Sequence, residues 1–575
     1  MLDRPKSAIS TLTAQWLTSR TFRFRAEPRG EVLSENFVFH PNGFIVGYRH
    51  PNETYWDLDG ETVNVRDANG AVTCSLRASV LADGRACLTG AFVVPFRPTV
   101  ASGVTHVMEE VESDYHARIQ SFDLFDTLVA RRCFAPLEIF AAVERKSGVA
   151  GFAHHRHALE MAIFGRRAYG IGDIYQLLVS QNVLSQRQAE VLQLMELEEE
   201  WENLFPICEI IALVNPSDII ISDMYLPEAF VQRIVREKCH LSNKIYLSNY
   251  GKHSGAIWPH ILENYRHREH FGDNAYADVV SPARCGVAAR LVTASKWSEA
   301  EEVLNNVGLR PYAHALREAR LRTHSEQALI RGAQAAQYAV NIPLLTIASL
   351  WLASLARASN ADALLMCSRD CNLWTRLFNS EQVARLGAPA ARYVQISRKL
   401  CYSQSPAYDA YFLQRVGQRT LLVDVVGTGR SLVYLLNRLG AAGRVRPCVL
   451  VADPVVGVEN SAAYETFLTK PFHPYRLALE SLNASVDGSA VGSRLADGLV
   501  AIEKSDNEFS PEARRTIAAM REAFLFFLAV LKDAPAVRDL PPADALRSAG
   551  DAIVELIPKY IAMFVSLAEE QRRNL

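Results

Sequence analysis

The run from Arg118 to Arg132, RIQSFDLFDTLVARR, constrains this chain more than any other stretch. Apolar residues lead into Ser121-Phe122. Asp123, Asp126 and Thr127 then stand where a buried strand should end, and Leu128-Val129 resumes the apolar pattern. A carboxylate at the end of a buried strand is placed for chemistry, although a single such Asp equally caps a helix or a turn.

The series that follows decides between those readings. Residues 215–223 form a second apolar strand running into Ser222. Residues 244–248 form a third, followed by Lys252 in Gly251-Lys-His-Ser-Gly255. Residues 268–278 end a fourth short run with Asp273 and Asp278. Strand ends of a parallel sheet gather at one edge, so a carboxylate, a hydroxyl, an ammonium and two further carboxylates can converge there.

The ordered set Asp123 and Thr127, Ser222, Lys252, then Gly272-Asp273 with Asp278 resembles the four motifs of the haloacid dehalogenase superfamily of phosphatases, over residues 115–300. The resemblance implies a Rossmann-like domain in which Asp123 attacks phosphorus and forms an aspartyl-phosphate. It further implies that Ser222 and Lys252 hold the phosphoryl oxygens and that Mg²⁺ binds at Asp123, Phe125 and Asp273. Crowded anions need such a cation, and a hard, oxygen-ligated ion suits them. One position departs from the pattern: the acid usually found two residues after the nucleophile is replaced by Phe125, and Asp126 follows one residue later. In a regular loop Asp126 would point elsewhere. The mainly helical stretch at about 130–210 resembles the family's cap. Its cluster His154-His155-Arg156-His157 is read either as a solvated helix start or as a group that meets a phosphate or carboxylate, and it is weak as a metal site because adjacent helical residues diverge.

A second α/β unit follows residue 300. Strands near 360–367, 392–396 and 419–426 end in Ser368-Arg369-Asp370, Ser397-Arg398-Lys399 and Gly427-Thr428-Gly429-Arg430-Ser431. The last loop, behind a strand carrying Asp424 and ahead of a helix, offers backbone N–H groups and hydroxyls to a phosphate, and a carboxylate to ribose hydroxyls. It lacks the Lys of a Walker A loop. It resembles the phosphoribosyl-diphosphate loop of type I phosphoribosyltransferases, with Val423 in place of the first of two acids. By that resemblance Ser368, Arg369 and Asp370 take the pyrophosphate-loop position, and Ser397, Arg398 and Lys399 supply cations for the leaving group. Asp370 is a metal ligand, a general base or a helix cap. The stretch Leu479-Glu480-Ser481-Leu-Asn483 and Asp487-Gly488 is read either as approaching the acceptor of the transferred group or as a helix end.

Together the two halves resemble bacterial polysaccharide enzymes that install ribofuranose. This implies transfer of ribofuranosyl 5-phosphate from phosphoribosyl diphosphate to a glycan acceptor, followed by removal of the 5-phosphate. The alternatives are a phosphatase with an inert second domain and a non-catalytic scaffold in glycan assembly. The expected fold is α/β multidomain. Residues 1–114 form a small β-rich domain for carbohydrate binding or docking, 115–300 the phosphatase, 301–345 a helical connector, 346–505 the transferase and 506–575 C-terminal helices.

Composition excludes some partners. With 61 basic against 63 acidic residues there is no global field to attract nucleic acid or an anionic membrane. The ten cysteines show no zinc spacing, and Cys367 and Cys371 read as core or loop thiols, which fits a reducing cytoplasm. The first 25 residues contain no long apolar run. Between Arg331 and Arg357 no charge occurs, but Gln334, Gln337 and Asn341 interrupt the run. A buried helix starting at Pro343 is therefore expected rather than a membrane-spanning segment, with membrane insertion as the alternative. Association with membrane-bound glycan-assembly machinery and oligomer formation stay open. Residues 30–100 alternate in short runs between Gly turns, as in an antiparallel barrel or sandwich, with Trp56 either stacking on a sugar or plugging the core.

Overall fold

The computed structural model describes residues 12–40, 43–48, 50–93, 101–111, 118–453, 464–470, 472–496, 499–506, 509–537, 539–560, 564, 567 and 569. The turn at 41–42 and most of residues 561–575 lie outside these residues. The chain divides into two compact units, Met1–Ser295 and Lys296–Leu575.

The first unit opens with an eight-stranded antiparallel sheet. In Thr21–Glu27, Phe22 and Phe24 point inward while Arg23 is exposed, the period of a half-buried strand. Their rings meet Phe39 and Phe37 edge-on, at 5.7 and 5.1 Å. The sheet's outermost strands, Ile45–Val46 and Tyr55–Asp59, approach each other: Ile45 N donates to Thr54 O (3.0 Å) and Trp56 N to Gly43 O (2.8 Å). These bonds close the sheet into a barrel and remove its edges. Trp56 is buried in that core, and its indole N–H donates to His40 O at 2.8 Å. The plug reading is therefore the one the structure supports; a buried indole cannot stack on a sugar from solvent.

The second part of this unit is a five-stranded parallel sheet in the order Lys244–Ser248, Ile219–Asp223, Arg118–Phe122, Arg266–Gly272, Ala289–Leu291. Arg118–Phe122 is central, so Asp123 leaves the sheet at its middle, where connections depart to either side. Four helices, Leu137–Ser147, Phe152–Ile163, Ile171–Ser180 and Gln186–Asn203, are inserted after it. Their entry and exit are tied by an antiparallel ribbon, Val129–Arg131 with Leu204–Pro206. Gln186–Asn203 reads as polar all round because its inner face carries Glu196, Glu199 and Glu200, each of which has a cation: Arg156, Lys146 and Arg131. Arg156 is fully buried, bonding Glu196 at 2.7 and 2.9 Å and Glu160 at 2.7 Å. The cluster divides: His154, His155 and His157 are exposed, as in a solvated helix start, whereas Arg156 is buried against the insertion's own glutamates.

In the second unit the parallel sheet has the order Ala391–Val394, Ala363–Cys367, Thr420–Gly427, Val445–Ala452, Glu465–Thr469. The connections reverse between the strands Ala363–Cys367 and Thr420–Gly427, and the crevice outside such a switch point is where α/β sheets bind ligands. The expected connector and C-terminal helices do not stand apart: Glu299–Asn306, Arg310–Arg322, Pro511–Lys532 and Ala543–Val554 share one apolar core with this sheet. At its centre runs Ile342–Ala358. Helix Ala328–Ala358 is long and apolar enough to cross a membrane, yet 83% of its most apolar stretch is buried within the protein. Its α-helical part Ile342–Ala358 carries Pro343 in its first turn, as expected. A wide turn at Gln337–Asn341 precedes the proline and accommodates its missing N–H. Two of the polar interruptions are bonded: Asn341 donates to Gln337 (3.0 Å) and Asn483 (3.1 Å), and Asn483 returns a bond at 2.9 Å, whereas the buried side-chain oxygen of Gln334 has no partner.

Candidate functional sites

At the first sheet's carboxyl edge, Lys252 is the hub. The helical turn Gly251–Ser254 is capped by Asp223, which accepts from Lys252 N (3.0 Å) and His253 N (2.8 Å) and aims the lysine inward. The buried Nζ meets Asp123 Oδ1, Asp278 Oδ1 at 2.6 Å and Ile221 O at 3.3 Å. Ser222, next along that strand, is buried. Thr127 is buried with its hydroxyl unpartnered. Asp123, Asp273 and Asp278 bring one oxygen each within 4.8 Å of one another. Asp123, Lys252, Asp273 and Asp278 thus come together at one sheet edge, with Ser222 on the adjoining strand.

Electrostatics separates the three carboxylates. Burial resists ionisation of Asp278, but Lys252 and a hydrogen bond from His270 outweigh it and hold Asp278 below the usual carboxylate range. Asp123 is pushed well upward by burial, a push that Asp278 and Asp273 reinforce and Lys252 only partly offsets. Asp273 is raised to about 7 by burial, then by Asp126 and Asp278. Lys252 stays above its ordinary value: burial works against the ammonium, and the two aspartates overcome it.

This crowding fits a divalent cation, which would relieve Asp123 and Asp273. Asp278 is less suited to hold it, because Oδ1 is taken by Lys252 and His270 and Oδ2 by Asn274 N at 2.9 Å. Phe125 offers only its carbonyl oxygen to an ion, and its ring lies 4.7 Å from the Arg131 guanidinium. The loop is not regular. Asp126 adopts a left-handed φ of 56°, a conformation open to Asp and Asn, and donates its N–H to Val129 O at 2.6 Å. Its charge acts on both Asp273 and Arg131. The expectation that it points elsewhere applied to a regular loop; in this turn its charge reaches Asp273.

In the second unit the three expected loops line one cavity of about 550 Å³, bounded by Ser368, Arg369, Asp370, Ser397, Arg398, Lys399, Asp424 and the run Gly427–Ser431. Gly429, at φ 68°, begins the helix Arg430–Arg438; Arg430 N donates to Thr428 Oγ1 at a long 3.5 Å, and the N-cap glycine itself supplies no side-chain cap. Burial raises Asp424 to about 6. Burial, then Asp424 and Glu480, raises Asp370 to about 8. Two expected binding groups are struts as well as lining. Ser368 Oγ donates to Ile396 O (2.9 Å) and accepts from Ile396 N (3.0 Å), while Ser397 accepts from Leu400 N (3.1 Å) and donates to Ala490 O. Arg476 and Glu480, paired at 2.6 Å, also line the cavity. Glu480 carried only a weak sequence signal beside a helix end, and Arg476 carried none. Asn483 and Asp487, read as approaching an acceptor, do not line it; Asn483 is buried in the amide network and holds Asn372, which in turn bonds Arg369 O at 2.9 Å. Cys367 and Cys371 are buried free thiols.

No family model matches the chain, and no curated protein matches it. Among solved structures it is similar to a haloacid dehalogenase-like family hydrolase from Xanthomonas campestris, with 13% identity over 32% of this chain and 84% of that one, at a TM-score of 0.25. A likeness at that level carries no weight for the chemistry, which rests on the side chains above.

Proposed function

We propose that the Asp123 site hydrolyses a phosphomonoester in the manner of the haloacid dehalogenase phosphatases. The observation that carries this is the buried Lys252 ammonium held between Asp123 and Asp278, with Asp273 beside them. Asp123 and Asp273, with the Phe125 carbonyl, would hold Mg²⁺, which when bound keeps Asp123 ionised and withdraws charge from the phosphoryl group. Asp123 forms the bond to phosphorus and the ester oxygen leaves. Lys252 and Ser222 hold the equatorial oxygens, and the free Thr127 hydroxyl is available to one of them. Water then cleaves the aspartyl-phosphate.

A second reading concerns residues 346–505. The cavity gathers five cations, Arg369, Arg398, Lys399, Arg430 and Arg476, around Asp370, Asp424 and Glu480, and an open helix N-terminus. That arrangement favours a polyanion whose ribose hydroxyls meet Asp424, as in transfer of ribofuranosyl 5-phosphate from phosphoribosyl diphosphate to a glycan hydroxyl. The phosphatase would then remove the 5-phosphate. The test supplies phosphoribosyl diphosphate, Mg²⁺ and candidate glycans, and follows product mass. Wild type should add a bare pentose, Asp123→Asn should accumulate phosphopentose, and Asp424→Asn should add nothing. Phosphate release undiminished in Asp123→Asn would refute the nucleophile, and addition at the wild-type rate by Asp424→Asn would refute the ribose contact.

A further inference from the structure

Behind the aspartates lies a buried histidine that the reaction as described does not use. His270, on the strand Arg266–Gly272, is fully buried and carries hydrogen bonds on both ring nitrogens. Nε2 lies 3.1 Å from Asp278 Oδ1, and Nδ1 lies 2.7 Å from Ser121 Oγ on the neighbouring central strand. The two strands are parallel neighbours with His270 opposite Ser121, so the contact is fixed by register rather than by a mobile loop. The ring packs edge-on against Trp258 at 4.9 Å.

The chemistry of the partners orients the ring. An ionised carboxylate only accepts, so Nε2 carries the proton toward Asp278. In a neutral imidazole Nδ1 is then an acceptor, and the Ser121 hydroxyl donates to it. Asp278 Oδ1 thus receives a neutral donor on one side and the Lys252 ammonium on the other, while Oδ2 receives Asn274 N. Gly272 leaves no slack: a Cβ there would sit 2.2 Å from the Asp278 carboxyl carbon.

We infer that His270 is a positioning residue for the phosphatase site: set as the Nε2–H tautomer by the Asp278 carboxylate and anchored by Ser121, it holds Asp278 so that Lys252 stays aimed at Asp123. This rests on the phosphatase reading above. Without that donor Asp278 keeps only Lys252 and Asn274, and the anion opposite the nucleophile is held less firmly for the ammonium. The effect falls on turnover, because the geometry of Lys252 matters most as charge builds on the transferring phosphoryl group.

Two substitutions separate positioning from packing. Glutamine places its amide about where Nε2 lies and can still donate to Asp278. Asparagine places its amide about where Nδ1 lies and reaches only Ser121. Both lose the ring against Trp258, so both should lower the thermal midpoint alike. With p-nitrophenyl phosphate and Mg²⁺, His270→Gln should keep kcat within about threefold of wild type, whereas His270→Asn should lose about 10–100-fold, with KM changed much less. Equal losses in the two variants, or a loss larger in His270→Gln, would overturn the inference. A second readout needs no turnover: nitrogen-15 shifts of labelled histidine should show a neutral ring protonated on Nε2 whose shift moves in Asp278→Asn. A ring protonated on Nδ1 would overturn the inference even in an active enzyme. Wild-type protein that shows the expected tautomer but never hydrolyses the ester would instead sink the phosphatase reading.

Discussion

Replacing Lys252 with methionine isolates the charge balance of the Asp123 site. The side chain is buried and nearly isosteric, so little volume is lost, but Asp123 and Asp278 lose their shared cation while Asp273 remains nearby. Removing one partner of a buried ion pair costs about 3–5 kcal/mol. The variant can lessen the cost by taking up a proton on Asp278, which the lysine keeps ionised in the wild type. The folded variant would then hold a proton that the unfolded chain, with a carboxylate near its ordinary value, has released. More protons are bound in the folded state, so stability relative to wild type falls as pH rises, by up to about 1.4 kcal/mol per unit. The expected loss is roughly 3–5 kcal/mol at pH 8 and roughly 1–2 kcal/mol at pH 5, in metal-free buffer. Hydrogen exchange of amides in Arg118–Phe122 and Ile219–Asp223 reads this locally and does not require the two units to unfold together. A loss under about 1 kcal/mol at pH 8, or one independent of pH, would mean that the aspartates do not depend on the lysine.

Asp370, raised to about 8, takes up its proton on folding, so its cost is absent below about pH 4 and grows as pH rises toward 8; Asp370→Asn should match wild type in urea unfolding near pH 4 and exceed it at pH 8.5, and a variant less stable at the higher pH would contradict this. Arg156→Met should cost about 3–5 kcal/mol by stranding Glu196, and adding Glu196→Gln should recover part of it, measured by hydrogen exchange across the helical insertion. Mg²⁺ at about 100 times its Kd should stabilise the first unit by about 2.7 kcal/mol, and Asp273→Asn should abolish most of that gain in a thermal melt; an equal gain in the variant would place the ion elsewhere.

What the sequence determined by itself is what local periodicity carries. The apolar runs ending in Asp123, Ser222, Ser368 and Gly427 are strands that deliver those residues to a sheet edge, because a buried parallel strand must be apolar until it leaves the core; RHREHFG, the strand before Asp273, carries no such signal. Alternation in residues 30–100 likewise announced β structure. It did not reveal that Thr21–Glu27 and Ala101–Val111 pair, since that bond joins segments some eighty residues apart. Only the tertiary structure decided which polar groups are tied to a neighbour and which line a cavity. Ser368 and Ser397 look like ligands for phosphate and are bound to backbone, while His270, in a run that reads as plain strand, becomes Asp278's partner through the register with Ser121. Asp126 entered the neighbourhood of Asp273 through a left-handed turn that spacing does not encode. Arg476 reached the Gly427 cavity from a helix some fifty residues downstream. The physical reason is common to all of them: a side chain's hydrogen-bond partner is fixed by what burial brings within about 3 Å, and that distance is set by packing between elements rather than by position along the chain.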